Sequence, residues 1–302
     1  MTNHGAVLPD IDRIAIVGLG LIGGSIARGL RVAGYGGHLS GAVVNEADAA
    51  RAIELDMVDA CHTRIAPAVA DADLIVMATP PGALDPVLRE IAAARAPESI
   101  VTDTGSSKAS VVQAAQHVFA PAARARFVPC HPIAGTENSG IEAGFATLFK
   151  ARRVILTPDE QTEATALAAV EAMWAALGAR VAHMTVAHHD EVLAATSHVP
   201  HVLAYTLVDT LAAMAERTEI FAYAAGGFAD FTRIASSDPA LWRDIVSANR
   251  EPVLHTLDAY IDRLQRVRAA IAAGDDGRVD EVFQRAKTAR DGFASQRERD
   301  ER

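Results

Sequence analysis

A short apolar run at residues 14–17 leads straight into GLGLIGGSIA, and no other stretch constrains the fold so tightly. Gly18, Gly20 and Gly23 fit the spacing GxGxxG between a strand and a helix. In that setting the first glycine permits a tight turn, the second lets the backbone approach a pyrophosphate, and the third lets helix and strand pack closely. Leu21 and Ile22 then open a helix whose unpaired backbone N–H groups face an anion. Gly18, Gly20, Leu21, Ile22 and Gly23 are therefore candidate dinucleotide-binding residues.

Further apolar runs follow at residues 38–44, 74–78, 99–102, 126–128 and 154–156, separated by helical patterns. Several are continuous rather than alternating, as in parallel strands covered on both faces. Strands alternating with helices predict an α/β, Rossmann-type doubly wound sheet. Ligands of such sheets bind beyond the carboxyl ends of the strands. That rule selects residues 18–23, 79–81, 103–108 and 130–135, and adds Thr79 and Pro80 to the cofactor candidates.

From about Thr185 the strand pattern stops. Val192, Thr196, Val199, Leu203, Leu207, Leu211 and Met214 recur every three or four residues, as on one face of a long helix. Asp238 followed by Pro239 signals the start of another helix running toward Ala273. A chain of 302 residues exceeds what one core usually supports, roughly 250–300. The expected organisation is a dinucleotide-binding domain at 1–184 and an all-helical domain at 185–302.

Composition narrows the partners. A formal charge of −10 disfavours nucleic acid, whose phosphates are held by clustered Lys and Arg. The two cysteines, Cys61 and Cys130, form neither a disulfide framework nor a CxxC metal site. The N-terminus has no basic segment leading into an apolar one, and no apolar run approaches about 18 residues. A cytoplasmic protein with no membrane or nucleic-acid partner is expected.

The acid that usually holds the adenosine ribose about 20 positions after the glycines is not evident. The second strand runs out as Ala42, Val43, Val44, Asn45, Glu46, so Asn45 or Glu46 is the ribose candidate. The choice between NAD and NADP stays open, with NAD favoured. In VTDTGSSKAS, Ser106 or Ser107 either caps a helix or places a hydroxyl at a reaction centre. In FVPCHPIAG, Cys130 and His131 point to opposite strand faces, so they do not form a nucleophile pair. Pro132 keeps His131 extended, and beside a dinucleotide fold this His is a candidate acid or base.

His198 and His201 share a helix face within SHVPH, but the pattern is not HExxH and no third ligand is evident, so no metal is expected. Pro200 predicts a kink there. Both histidines are candidate substrate contacts. Arg233 and Arg243 sit among apolar residues and each needs a carboxylate, from Asp230 or Asp244 or from an anionic ligand.

Taken in order, GLGLIGGSIA, VTDTGSSK, CHPIAGTENSG, SHVPH and GGFADFTRIASSDPALWRDI resemble the prephenate dehydrogenase family, which includes arogenate and cyclohexadienyl dehydrogenases of tyrosine biosynthesis. The resemblance covers nearly the whole chain. It implies a nucleotide-binding domain followed by an all-α dimerisation domain, hence a homodimer. It also implies oxidative decarboxylation of prephenate or arogenate, with hydride passing to NAD or NADP. Carried over by motif, His131 takes the proton of the C4 hydroxyl and its pKa should lie near the working pH. Ser106 orients that hydroxyl, Arg233 binds the ring carboxylate, and His201 and His198 line the side-chain end of the substrate. A related two-domain hydroxyacid dehydrogenase or reductase would share the glycine turn without needing the later motifs. A dinucleotide sensor would have no need of His131, Ser106 and Arg233 together.

Overall fold

The computed structural model describes residues 8, 10–215 and 217–301. Six strands form one parallel sheet: β1 (Arg13–Val17), β2 (His38–Ala42), β3 (Ala60–His62), β4 (Leu74–Met77), β5 (Ile100–Asp103) and β6 (Phe127–Val128). Their order is β3-β2-β1-β4-β5-β6, so the chain reverses direction across the sheet between β1 and β4, beside the glycine turn. This is the doubly wound arrangement expected from the alternating pattern.

The continuous apolar runs are explained by burial on both faces. Ile14 and Ile16 of β1, with Leu74 and Val76 of β4, pack into a core that includes Ile26, Leu30, Phe149 and Trp174. The intervening Ala15, Val17, Ile75 and Met77 face the opposite core, with Leu88, Ile91 and Val111. A second sheet follows, built from β7 (Cys130–Pro132), β8 (Arg153–Leu156) and β9 (Arg180–His183), with β7 antiparallel and β9 parallel to β8.

β7 separates from the run at 126–128 as a strand of its own sheet, and two further strands, β3 and β9, went unrecognised in the sequence. Both are short and only partly buried, so neither carries an apolar run. β2 also stops two residues earlier than its hydrophobicity indicates. After Ala42 only the Val43 N–H still bonds to His62, and Val44 is 91% exposed.

Beyond β9 the chain is helical. The expected long helix is interrupted: Val186–Leu193 runs into a π-helical turn at Ala194–His198 before Val199–Ala212 resumes. The Val199 N–H reaches back to the Ala194 carbonyl, and Pro200, having no N–H, cannot restore the regular ladder. Shorter helices at Arg217–Ala222, Gly226–Thr232 and Pro239–Ala248 follow. The helix expected to run from Pro239 to Ala273 is two, because Asn249 separates Pro239–Ala248 from Arg250–Ala273. Pro252 offers no N–H to the carbonyl of Ala248, which favours the break.

Two compact units result, Met1–Arg250 and Glu251–Arg302. This division lies well after residue 184, where the strands end, because buried hydrogen bonds tie the first helices after β9 to the sheet domain. No helix among the described residues is long and apolar enough to cross a membrane.

Candidate active site

The three glycines after β1 have three distinct physical reasons. Gly18 has φ +93°, and a Cβ there would lie 2.5 Å from the Ala78 carbonyl oxygen. A Cβ on Gly23 would lie 1.9 Å from the Gly18 oxygen, so helix and turn touch through the missing side chain. Gly20, by contrast, has nothing within 4 Å of an added Cβ. That open space is where a pyrophosphate would approach. The Leu21–Val32 helix begins there with no capping side chain and no acid in its first turn, so its positive end stays available to an anion. Thr79 adjoins Gly18, and Pro80 is exposed beyond the end of β4.

These contrasts separate binding from folding. Gly20→Ala is expected to weaken dinucleotide binding at least about tenfold with thermal stability unchanged, whereas Gly23→Ala should cost about 1–3 kcal/mol of stability through overpacking. Calorimetric titration with dinucleotide and thermal melting of both variants check this. Equal loss of stability in both would mean that the space at Gly20 serves packing.

At the end of β2, Asn45 caps the Glu46–Glu54 helix, accepting from the Asp48 N–H and donating to the Asp48 carboxylate. Glu46 accepts a hydrogen bond from Thr63. Both ribose candidates thus have local structural work, and two acids crowd this helix's first turn.

On the other side of β4, Asp103 ends β5 and ties the following loop to β7. Its carboxylate accepts from the backbone N–H of Gly105 at 2.7 Å and of Cys130 at 3.1 Å. Lys108, wholly buried, pairs with the same carboxylate and donates to the Cys130 carbonyl at 2.6 Å. The Ser106 loop is thereby fixed against the strand that carries His131. Ser107 shares its hydroxyl with Ser110 and does not cap the helix, while the Ser106 hydroxyl has no partner among the described residues.

His131 lies in β7 and is buried. Its Nδ1 is 2.9 Å from His189 Nε2, and His189 Nδ1 is 2.7 Å from Asp190 Oδ1. Asp190 also accepts from the backbone N–H groups of Lys108 and Ala109, both at 2.8 Å. Burial above all, with the Lys108 charge nearby, holds His131 well below the ordinary histidine value. The shift runs downward from the value near the working pH expected above, in the direction that favours the neutral imidazole. Cys130 points the other way, and burial with the nearby Asp103 pushes its thiol up to about 12, so it is no nucleophile.

In the helical half, Arg233 begins a 3₁₀ turn and its guanidinium, 64% exposed, lies 3.5 Å from Glu137 in the loop after His131. Asp230, expected as a partner, is not the one used. Arg243 does pair with Asp244, at 2.7 and 2.9 Å. His201 stacks on Trp242 with ring centroids 3.3 Å apart, and its Nδ1 donates to the Ser197 carbonyl, leaving Nε2 as a free acceptor. His198 is wholly buried, and its ring also lies against Trp242, edge-on with centroids 6.3 Å apart. Its Nδ1 meets the Asn249 amide at 3.0 Å, and burial lowers its pKa to about 4. Among the described residues no group of three or more His, Cys, Asp or Glu could hold a metal ion.

Residues 26–183 match the family description "Prephenate dehydrogenase, nucleotide-binding domain", and residues 185–285 match "Prephenate dehydrogenase, dimerization domain". This chain belongs to the prephenate dehydrogenase family. It is 40% identical to the cyclohexadienyl dehydrogenase of Zymomonas mobilis subsp. mobilis, over 92% of this chain and 94% of that one. Among solved structures it is similar to the prephenate dehydrogenase of A. aeolicus in complex with hydroxyphenyl propionate and NAD+, with a TM-score of 0.86 and 33% identity, covering 92% of this chain and 97% of that one. It is similar too to Synechocystis arogenate dehydrogenase, with a TM-score of 0.78 and 27% identity over 93% and 99% of the two chains.

Several residues of this candidate site escaped sequence reasoning. His189 and Asp190 sit in HHDE at the start of a helix, where they look like solvated first-turn residues. Trp242 looks like helix core, and Glu137 like a loop charge. Asn249 lay inside the helix expected from Pro239 toward Ala273, and the one signal beside it, Pro252, bears on the helix break and not on the buried contact.

Proposed function

We propose that this chain catalyses oxidative decarboxylation of prephenate, arogenate or both, forming 4-hydroxyphenylpyruvate or tyrosine in tyrosine biosynthesis. The observation that carries this reading is a buried histidine, His131, on a strand hydrogen-bonded to Asp103 and Lys108, on either side of Ser106, at the carboxyl edge of a nucleotide-binding sheet. When bound, the nicotinamide supplies the hydride acceptor. His131 takes the proton of the C4 hydroxyl as hydride leaves, and it can do so only while unprotonated. Ser106, with its hydroxyl uncommitted, orients that hydroxyl.

Arg233 holds the ring carboxylate. Its contact with Glu137 is long and exposed, so an anionic ligand can replace it at little cost. The hold must not be too tight, because the carboxylate's charge is lost in the reaction. Arg233→Ala is expected to raise the substrate KM about 10- to 100-fold, the loss of one charge-assisted hydrogen bond, with dinucleotide affinity unchanged. Steady-state kinetics and dinucleotide titration check this; an effect on the dinucleotide instead would displace Arg233 from the substrate. His201 and Trp242 line the side-chain end, and the complete burial of His198 assigns it to support of the helix junction.

NAD is the favoured cofactor. Glu46 and Asp48 stand in the first turn of the helix after β2, where a 2′-phosphate would meet like charge, and Arg51 is occupied by Glu54 and Glu142. The functional division falls at residues 184 and 185, between cofactor-binding and helical parts. The protein acts as a cytoplasmic homodimer, and on the Arg250–Ala273 helix the exposed Leu254, Ile261, Leu264 and Ile271 form a seven-residue repeat suited to a second copy.

The test is formation of reduced nicotinamide by the purified protein with prephenate or arogenate and with NAD or NADP. Turnover with at least one substrate is expected, with kcat/KM about tenfold or more in favour of NAD, a difference of about 1.4 kcal/mol. No turnover in any combination, with dinucleotide binding intact, would replace this reading with a sensor or a related reductase.

A further inference from the structure

We propose that His189 and Asp190 are positioning residues that fix the tautomer of His131, so that the lone pair used for proton abstraction is on Nε2. The inference rests on the assignment of His131 as the base and deepens it. The argument runs along the hydrogen bonds. Asp190 receives the backbone N–H groups of Lys108 and Ala109 as well as His189 Nδ1, an arrangement that suits an ionised, acceptor-only carboxylate. Burial raises the Asp190 pKa, but these three hydrogen bonds outweigh it and the net shift is downward. The carboxylate also sits at the positive end of the Lys108–Val118 helix.

An acceptor-only partner requires His189 to carry its proton on Nδ1. Its Nε2 is then a lone pair, 2.9 Å from His131 Nδ1, which must therefore carry the proton of that bond. What remains on His131 is an unprotonated Nε2. His189 and Asp190 are 0% and 2% exposed, so water does not compete for these bonds. Asn249 donates to the Asp190 backbone carbonyl at 2.8 Å and holds the carboxylate's own main chain. The helix that anchors Asp190 begins two residues after Ser106, so one carboxylate sets both the base and the hydroxyl that orients the substrate.

In the proton transfer the O–H bond of the substrate breaks and an Nε2–H bond forms on His131. The Nδ1–H stays in place and becomes a charge-assisted donor to His189, while Asp190 remains ionised throughout. The pair supplies orientation and support for the imidazolium, and no second proton need move.

Two measurements test this. In wild-type enzyme with uniformly ¹⁵N-labelled histidine, NMR at neutral pH should show His131 protonated at Nδ1 and unprotonated at Nε2; the opposite neutral tautomer would overturn the proposal without any variant. His189→Leu should lower kcat about 10²-fold while substrate KM and dinucleotide affinity change less than about threefold. His189→Gln, whose amide offers an acceptor to His131 and a donor to Asp190, should return kcat to within about tenfold of wild type. A His189→Leu kcat within about threefold of wild type, or a Gln variant no better than Leu, would sink the proposal. If His131→Asn is inactive while His189→Leu is not, only the positioning role fails; if His131→Asn is active, the base assignment itself fails.

Discussion

His131→Asn is expected to lower kcat about 10²- to 10⁴-fold, the range that a positioned general base supplies, with dinucleotide affinity close to wild type. Asn keeps a polar group near His189, so the fold should survive, but it has no basic nitrogen to take a proton. The pH dependence follows from the environment of the imidazole. Burial above all, with the Lys108 charge nearby, depresses the His131 pKa well below 6.5, and only the unprotonated form is active. As pH falls, activity is therefore retained through the ordinary histidine range and lost only when the depressed value is reached. Initial rates of kcat/KM against pH check this, and an acid limb at or above 6.5 attributable to His131 would contradict the burial argument.

The second large effect is on stability. Lys108→Met should cost about 3–5 kcal/mol, measured by urea denaturation, because it leaves the carboxylate of Asp103 buried without its counter-charge. Asp103 is 1% exposed and keeps its bonds from Gly105 and Cys130, but those neutral donors do not compensate a lone charge. Removing both charges together, as Asp103→Asn with Lys108→Met, should cost less than Lys108→Met alone. A single substitution of ordinary surface magnitude, below about 0.5 kcal/mol, would show that water reaches this pair. Stability and catalysis meet at this residue, since its backbone N–H also binds the carboxylate behind His189.

How legible the site was depended on whether each residue's role is local. Gly18, Gly20 and Gly23 announce themselves because a turn, a phosphate approach and a close helix contact each exclude a side chain at a fixed offset. His131 stood out because it follows the run at 126–128 and precedes Pro; in the structure it lies within β7, which Cys130 ties to the carboxyl end of β5. His198 and His201 were paired on spacing, and both rings do meet Trp242, but only His201 keeps partial exposure. Trp242 gained a stacking partner 41 positions away, a relation that no periodicity encodes.

By itself the sequence determined the doubly wound sheet, the glycine turn, the helical second half and the principal charged and titratable candidates. These follow from short-range rules: side-chain alternation, apolar runs and the conformational freedom of glycine. Only the tertiary structure decided that Asp190 lies behind His189 and His131, that Glu137 rather than Asp230 faces Arg233, and that Lys108 is buried against Asp103. The first two bring together groups far apart in the chain, His131 with His189 and Glu137 with Arg233, and the third needs the Cys130 carbonyl of β7. Local sequence cannot carry that information, because the free energy of a buried polar group depends on which distant partner satisfies it.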